Sequence, residues 1–106
     1  MELLFIIVQE EDYQGLASAL VKASIRATRF QTEGIYLNKN NITLMACIAK
    51  DREQEILELV RQNCTERTEE RQVWEYNGNS MAQTVKNIKI GGATIFITDM
   101  DRMVRY

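Results

Sequence analysis

The stretch Ile88-Lys89-Ile90-Gly91-Gly92-Ala93-Thr94-Ile95-Phe96-Ile97 decides how the chain closes its fold. Its composition reads as a β-strand near the end of the sequence, yet two adjacent glycines stand in its middle. Glycine weakens a strand interior, so a glycine pair there marks a bulge or a close approach by a ligand or by other backbone. Arg26, Thr28, Tyr36 and Asn41 are the candidate partners for that approach. The strand therefore bears on a binding site as well as on the fold.

Upstream of this strand the elements alternate. Leu3 to Val8 is apolar on both faces and rich in strand formers, the pattern of a central strand. Glu10, Glu11 and Asp12 follow, placing carboxylates where a helix start has unpaired N–H groups. Tyr13, Leu16, Ala17, Leu20 and Ser24 then fall at helical spacing. Arg26 to Thr32 predicts a second strand, with Arg26, Thr28, Phe30 and Thr32 on one face. Asn38-Lys39-Asn40-Asn41 reads as a turn, and Ile42 to Ala49 as a third strand, again apolar on both faces. Asp51 with Gln54 fits a capping box opening a second helix, whose stripe is Ile56, Leu57, Val60 and Cys64. The glycine-bearing stretch is the fourth strand.

The order βαβ, then βαβ, predicts an α+β fold, a ferredoxin-like βαββαβ sandwich with both helices on one sheet face and strands one and three central. Residues 1–106 are read as a single domain, with a long loop between the second helix and the last strand. Two helices cover only one face. The other face would show Ile6, Val8, Met45 or Cys47 to water, the pattern leaving open which set. Such a patch predicts a homo-oligomer packed through its sheets, unless the loop after Cys64 folds back over it.

Composition narrows the function. With 45% hydrophobic and 26% charged residues the chain is ordinary for a globular protein. A net charge of −2 argues against general binding to nucleic acid or an anionic membrane, and no apolar run approaches a bilayer span. Met1 to Val8 lacks a basic start and a small-residue cleavage site, so it reads as a first strand and not a signal peptide. Two unclustered cysteines, Cys47 and Cys64, read as reduced cytosolic thiols, which places the chain in the cytoplasm. Histidine is absent, and with it the commonest metal ligand and general base. No nucleophile–base pair or metal-ligand cluster is visible, and Asp99 and Asp101 fit a solvated turn. No metal, cofactor or catalytic residue is expected.

Two constellations remain. Neither glycine-rich phosphate motif occurs, so a phosphate would have to be held by side chains. Arg26 and Thr28, two residues apart on one strand face, can grip one together. Tyr36 and Phe96 offer flat surfaces to a base, and Asn41 has both donor and acceptor for its edge. The pattern also accommodates an edge-strand Arg, a capping Thr, a core Phe and a turn Asn. The second constellation is residues 65–86, an extended loop or hairpin arm. Asn77-Gly78 predicts a turn joining Val73–Tyr76 to Asn79–Ala82, with Trp74 and Tyr76 on one side. Those aromatics either meet a partner or ligand, or clamp the arm onto the body of the same or a neighbouring subunit.

With these residues in hand, the chain resembles the cyclic di-AMP receptor family of PII-like signal-transduction proteins, nearly end to end. The resemblance rests on Ile7-Val8-Gln9, Leu20-Val21-Lys22, Arg26-Ala27-Thr28, Gly34 with Tyr36-Leu37, Asn41 with Thr43, and Gly91 through Ile97. It implies a ferredoxin-like subunit in a homotrimer, with a cyclic di-AMP pocket at each subunit boundary. It also implies a non-catalytic signalling role, relayed to an unidentified protein partner through loop rearrangement. Carried over by position, Arg26 and Thr28 would face phosphate, with Ser24 beside them where the family has Asn. Tyr36, Leu37 and Phe96 would flank adenine, Asn41 would hydrogen-bond it, and Gly91 and Gly92 would permit close approach. The chain departs from the family pattern at Ser24, at Ile35 where a second glycine is usual, in the shorter 65–86 segment with Trp74 and Tyr76, and at Arg105-Tyr106 where Gln-Phe is usual. The alternative is a PII-like scaffold that binds another small effector or docks a protein through residues 65–86.

Overall fold

In the computed structural model, which describes residues 1–33, 40–76 and 78–106, the chain runs β1 (Glu2–Gln9), α1 (Glu10–Lys22), β2 (Ala27–Glu33), β3 (Asn40–Ile48), a 3-10 turn (Lys50–Arg52), α2 (Glu53–Cys64), β4 (Arg67–Tyr76), β5 (Met81–Ile90) and β6 (Ala93–Asp99). β2, β3, β1 and β6 form an antiparallel sheet in that order, and β4 and β5 pair only with each other. This small α+β arrangement is compatible with the ferredoxin-like expectation, with β1 and β3 in the middle of the sheet.

Alternation along the central strands sorts the two faces. Leu4, Ile6 and Val8 of β1 and Ile42, Leu44, Ala46 and Ile48 of β3 are buried with Leu16 and Leu20 of α1 and Ile56, Val60 and Cys64 of α2. Leu3, Phe5 and Ile7 point the other way, in register with Cys47, Met45 and Thr43. Of the residues expected on the uncovered face, Met45 and Cys47 are there, whereas Ile6 and Val8 face the helices. Phe30, on an edge strand, and Phe96 add to the uncovered face, at 41% and 58% exposure. On the helix side of β2, Arg29 lies 4.6 Å from the centroid of the Tyr13 ring, a cation–π contact that tucks the edge strand against α1.

The glycine pair is not inside a strand. Gly91 and Gly92 have φ of 82° and 86°, left-handed values that a continuing strand does not use, so β5 ends at Ile90 and β6 begins at Ala93. The segment expected as a long loop is a hairpin of two ten-residue strands. Its arms extend well beyond the Val73–Tyr76 and Asn79–Ala82 expected, because β4 is full of charges and shows no apolar alternation. An ion pair between Lys86 and Glu75, four register positions apart, links the two arms. Trp74 and Tyr76 do share a side.

Smaller corrections follow from local chemistry. The capping box does not form: Asp51 lies within the 3-10 turn, and α2 starts at Glu53 without a side-chain cap bond. Asn40 and Asn41 belong to β3, where Asn41 opposes both Gln9 and Thr32. Asp99 ends β6 and lies 3.8 Å from Lys50 Nζ. Ser24 is beyond α1, at φ 57°. There the N–H of Ser24 donates to Val21 O (3.0 Å) and that of Ile25 to Leu20 O (2.9 Å). This is a Schellman ending, with Ile25 and Leu20 both in the core.

Candidate functional site

The Schellman ending fixes the chain's route from α1 into β2 and sets Ser24, Arg26 and Thr28 along one wall of a groove of about 1120 Å³. Met45 and Cys47 form its floor, and Met103 and Arg105, from the segment after β6, also line it. Arg52 stiffens this end. Its guanidinium donates to Glu55 at 3.0 and 2.9 Å and to the carbonyl of Ala23 at 2.7 Å, tying the end of α1 to the start of α2. The Glu55 carboxylate holds the Arg52 pKa above its ordinary value, and the guanidinium holds Glu55 below the usual carboxylate range.

Asn41 lies elsewhere. It lines a second hollow, of about 500 Å³, with Gln9, Arg71, Ile88 and Lys89. Next to that hollow the Gly91 N–H donates to Gln9 Oε1 at 2.8 Å, and Gly92 N–H donates to the Cys64 carbonyl. A Cβ on Gly91 would come within 2.7 Å of Thr65 O and Arg67 Nη1 and 3.2 Å of Asp12 Oδ2. The close approach at Gly91 is therefore by the chain itself, where the hairpin joins the body.

That junction is ionic. Arg67 Nη2 donates to Asp12 Oδ1 at 2.9 Å, and Arg71 Nη2 to Glu11 Oε2 at 2.6 Å, both carboxylates standing in the first turn of α1. Glu69 bridges the two arginines at 3.3 and 3.1 Å, and its carboxyl is held below the usual range first by Arg71 and then by Arg67. Cys64, buried beneath, has its thiol pushed up to about 11, first by burial and then by the Asp12 charge. A thiol so placed is not a nucleophile.

Phe96 marks a third corner. Thr28 opposes Met45, Met45 opposes Phe5, and Phe5 opposes Phe96, one row across the uncovered face. Three interstrand steps put Phe96 about 14 Å from Thr28, and four residues of β3 put Asn41 about 13 Å from Met45. Within one chain the structure brings Ser24, Arg26 and Thr28 together, and keeps Asn41, Gly91 and Gly92 at one distant corner and Phe96 at another. Tyr36 and Leu37 lie outside the described residues. Reading the sequence missed Arg52, Met103 and Arg105 as groove residues. The only signal was the departure at Arg105, because spacing cannot say where a tail turns.

The groove is edged by Arg and Thr over an apolar floor, and no metal-holding group is found among the described residues. The chain belongs to the cyclic-di-AMP receptor family, whose description it matches over residues 1–106. The family binds cyclic di-AMP as a ligand, not as a cofactor. The chain is also similar to the crystal structure of a functionally unknown protein from Pediococcus pentosaceus ATCC 25745. That likeness has 27% identity and a TM-score of 0.81, covering 99% of this chain and 96% of the other. No helix among the described residues is long and apolar enough to cross a membrane.

Proposed function

We propose that this protein is a non-catalytic cytoplasmic signalling protein that binds cyclic di-AMP at the subunit seams of a PII-like homotrimer. One observation carries the reading: the candidate ligand residues do not converge within a chain but stand on opposite edges of one sheet. The β2 edge carries Arg26 and Thr28, and the β6 edge carries Phe96. If the β2 edge of one subunit meets the β6 edge of the next, a head-to-tail ring closes and each seam gathers a complete set. The uncovered row of Leu3, Phe5, Ile7 and Met45 then finds its cover in the assembly. In each seam Arg26 and Thr28 hold phosphate with Ser24 beside them, Phe96 flanks adenine with Tyr36 and Leu37, and Asn41 reads the base edge. Gly91 and Gly92 join β6 to the hairpin, so a ligand seated on Phe96 is one hinge away from the arm that relays its presence.

Thermal unfolding with cyclic di-AMP, cyclic di-GMP, ATP and AMP tests the reading at fixed protomer concentration. A ligand at 100 times its Kd stabilises the fold by about 2.7 kcal/mol, and only cyclic di-AMP is expected to do so. Arg26→Ala should abolish that shift while light scattering still gives the mass of three chains. A single-chain mass across a broad concentration range would refute the seam.

A second reading has its own observation. Trp74, Tyr76, Met81 and Val85 share one hairpin face and are 56–70% exposed, a surface suited to docking a protein. Were no nucleotide to raise the melting temperature, this scaffold role would take precedence.

A further inference from the structure

Among the described residues, the groove beside β2 has three charged lining residues, Arg26, Arg52 and Arg105, and no carboxylate. In a chain of net charge −2, a purely cationic lining is a local reversal of sign that suits an anion. The three arginines are not equivalent. Arg52 is committed to Glu55 and to the Ala23 carbonyl. Among the described residues, neither Arg26 nor Arg105 has a carboxylate within ion-pair distance. They also reach the groove from different parts of the chain. Arg26 leads into β2, whereas Arg105 arrives on the segment after β6, which is anchored where Met100 N–H donates to Met1 O at 3.0 Å.

We propose that Arg105 is the second anion-holding cation of this groove, so that the site is built for a ligand with two separate negative charges. Arg26 holds one phosphodiester and Arg105 the other. The inference rests on the nucleotide reading above and adds to it a residue from the tail and a requirement for two charges. A guanidinium with no ion pair to break gains a whole charge-assisted bond when phosphate arrives. An amide at this position, as the family pattern has, offers a hydrogen bond without the charge.

Calorimetric titration of the full chain with cyclic di-AMP tests the assignment. Arg105→Gln should weaken binding about tenfold or more, the size of one charge-assisted hydrogen bond. Arg105→Lys should recover part of the loss, since it keeps the charge but not the planar fork. Raising ionic strength from about 0.05 M to about 0.5 M should narrow the gap between the unaltered chain and Arg105→Gln, because screening lengthens no hydrogen bond but weakens a field. Arg105 is exposed and outside every helix and strand, so an unchanged melting temperature is expected and confirms that the fold is intact. A Lys variant no better than the Gln variant would assign Arg105 a role of shape and overturn the proposal. So would Arg105→Gln binding as tightly as the unaltered chain while Arg26→Gln does not bind; that result would leave the nucleotide reading standing. An unaltered chain that does not bind cyclic di-AMP would overturn the nucleotide reading and this assignment together.

Discussion

Three glycines share a positive φ and differ in what surrounds them, which makes them a matched series. Gly78, Gly91 and Gly92 have φ of 88°, 82° and 86°. Replacing any of them by alanine incurs the left-handed penalty of about 1–2 kcal/mol. For Gly78→Ala nothing more is added, since no atom of the described residues outside its chain neighbours lies within 4 Å of the new Cβ. Gly92→Ala meets Glu66 Cβ at 3.7 Å and Glu66 Oε2 at 3.9 Å, ordinary contact, so its cost is the same. Gly91→Ala meets Thr65 O and Arg67 Nη1 at 2.7 Å. The arginine tip can swing aside, but the Thr65 carbonyl is main chain directly after α2 and cannot. Overpacking of that kind adds about 1–3 kcal/mol, for a total of about 2–5 kcal/mol. Urea unfolding followed by far-ultraviolet circular dichroism, at one protomer concentration, should give Gly91→Ala a midpoint well below the other two. In melting temperature the extra loss is about 4 °C or more, at 4–8 °C per kcal/mol. If Gly91→Ala and Gly92→Ala agreed within about 0.5 kcal/mol, the crowding of the hairpin base against α2 would be refuted.

Three further outcomes are expected. Glu2 is buried at 2% exposure opposite Asp99, with Lys50 and Glu53 nearby, and its Oε2 has no hydrogen-bond partner among the described residues. A hydrogen bond shared with the Glu53 carboxyl, then burial, raises its pKa, so the folded state favours the proton. The stability this confers is complete below the unfolded carboxyl range near pH 4 and is lost as pH rises through the folded pKa. Glu2→Gln should therefore raise the melting temperature at neutral pH and leave it nearly unchanged near pH 4; equal shifts at both would contradict a shared proton. Ser24→Asn should stabilise by about 0.5–1 kcal/mol, since Asn tolerates the left-handed position better than Ser, and should tighten cyclic di-AMP binding through the longer amide. Destabilisation by Ser24→Asn would mean that the loop leaves no room for the amide. Arg67→Gln should loosen the hairpin base, seen as faster amide exchange in β4 and β5 with β1 and β3 unchanged; uniform protection would show that the ion pairs do not hold the arm.

The sheet was legible because its two central strands carry apolar residues on both faces, a demand that only a covered position satisfies. Edge strand β2 was legible from its alternation. The hairpin was not, because a two-stranded arm outside the core needs no hydrophobic pattern. Arg67 through Arg71 look like loop charge until their partners in α1 are known. From sequence the glycine pair marks a bulge or a close approach inside one strand; the close approach is there, by the Thr65 carbonyl, but the single strand is two. Composition marks the break, but only the signs of φ at Gly91 and Gly92 distinguish a kink within a strand from an end and a new beginning.

The candidate site divides along the same line. Arg26 and Thr28 could be paired from the sequence because a strand's period of two is local. Whether Asn41 or Phe96 stands near them depends on register across three strands, which no local pattern encodes. Register fixes Thr28, Met45, Phe5 and Phe96 in one row and so separates the two ends of the site by the width of the sheet. The candidate ligand residues, spread over both edges of one sheet, would converge on a small molecule if another copy of the same sheet brought its opposite edge alongside. The apolar row between them would give that copy a reason to bind. Oligomer and ligand site are thus one expectation: a chain held monomeric by a charge placed at Phe5 should lose cyclic di-AMP although Arg26, Thr28 and Phe96 are all still present. Retention of full affinity by that monomer would show that one chain suffices, and the seam would have to be given up.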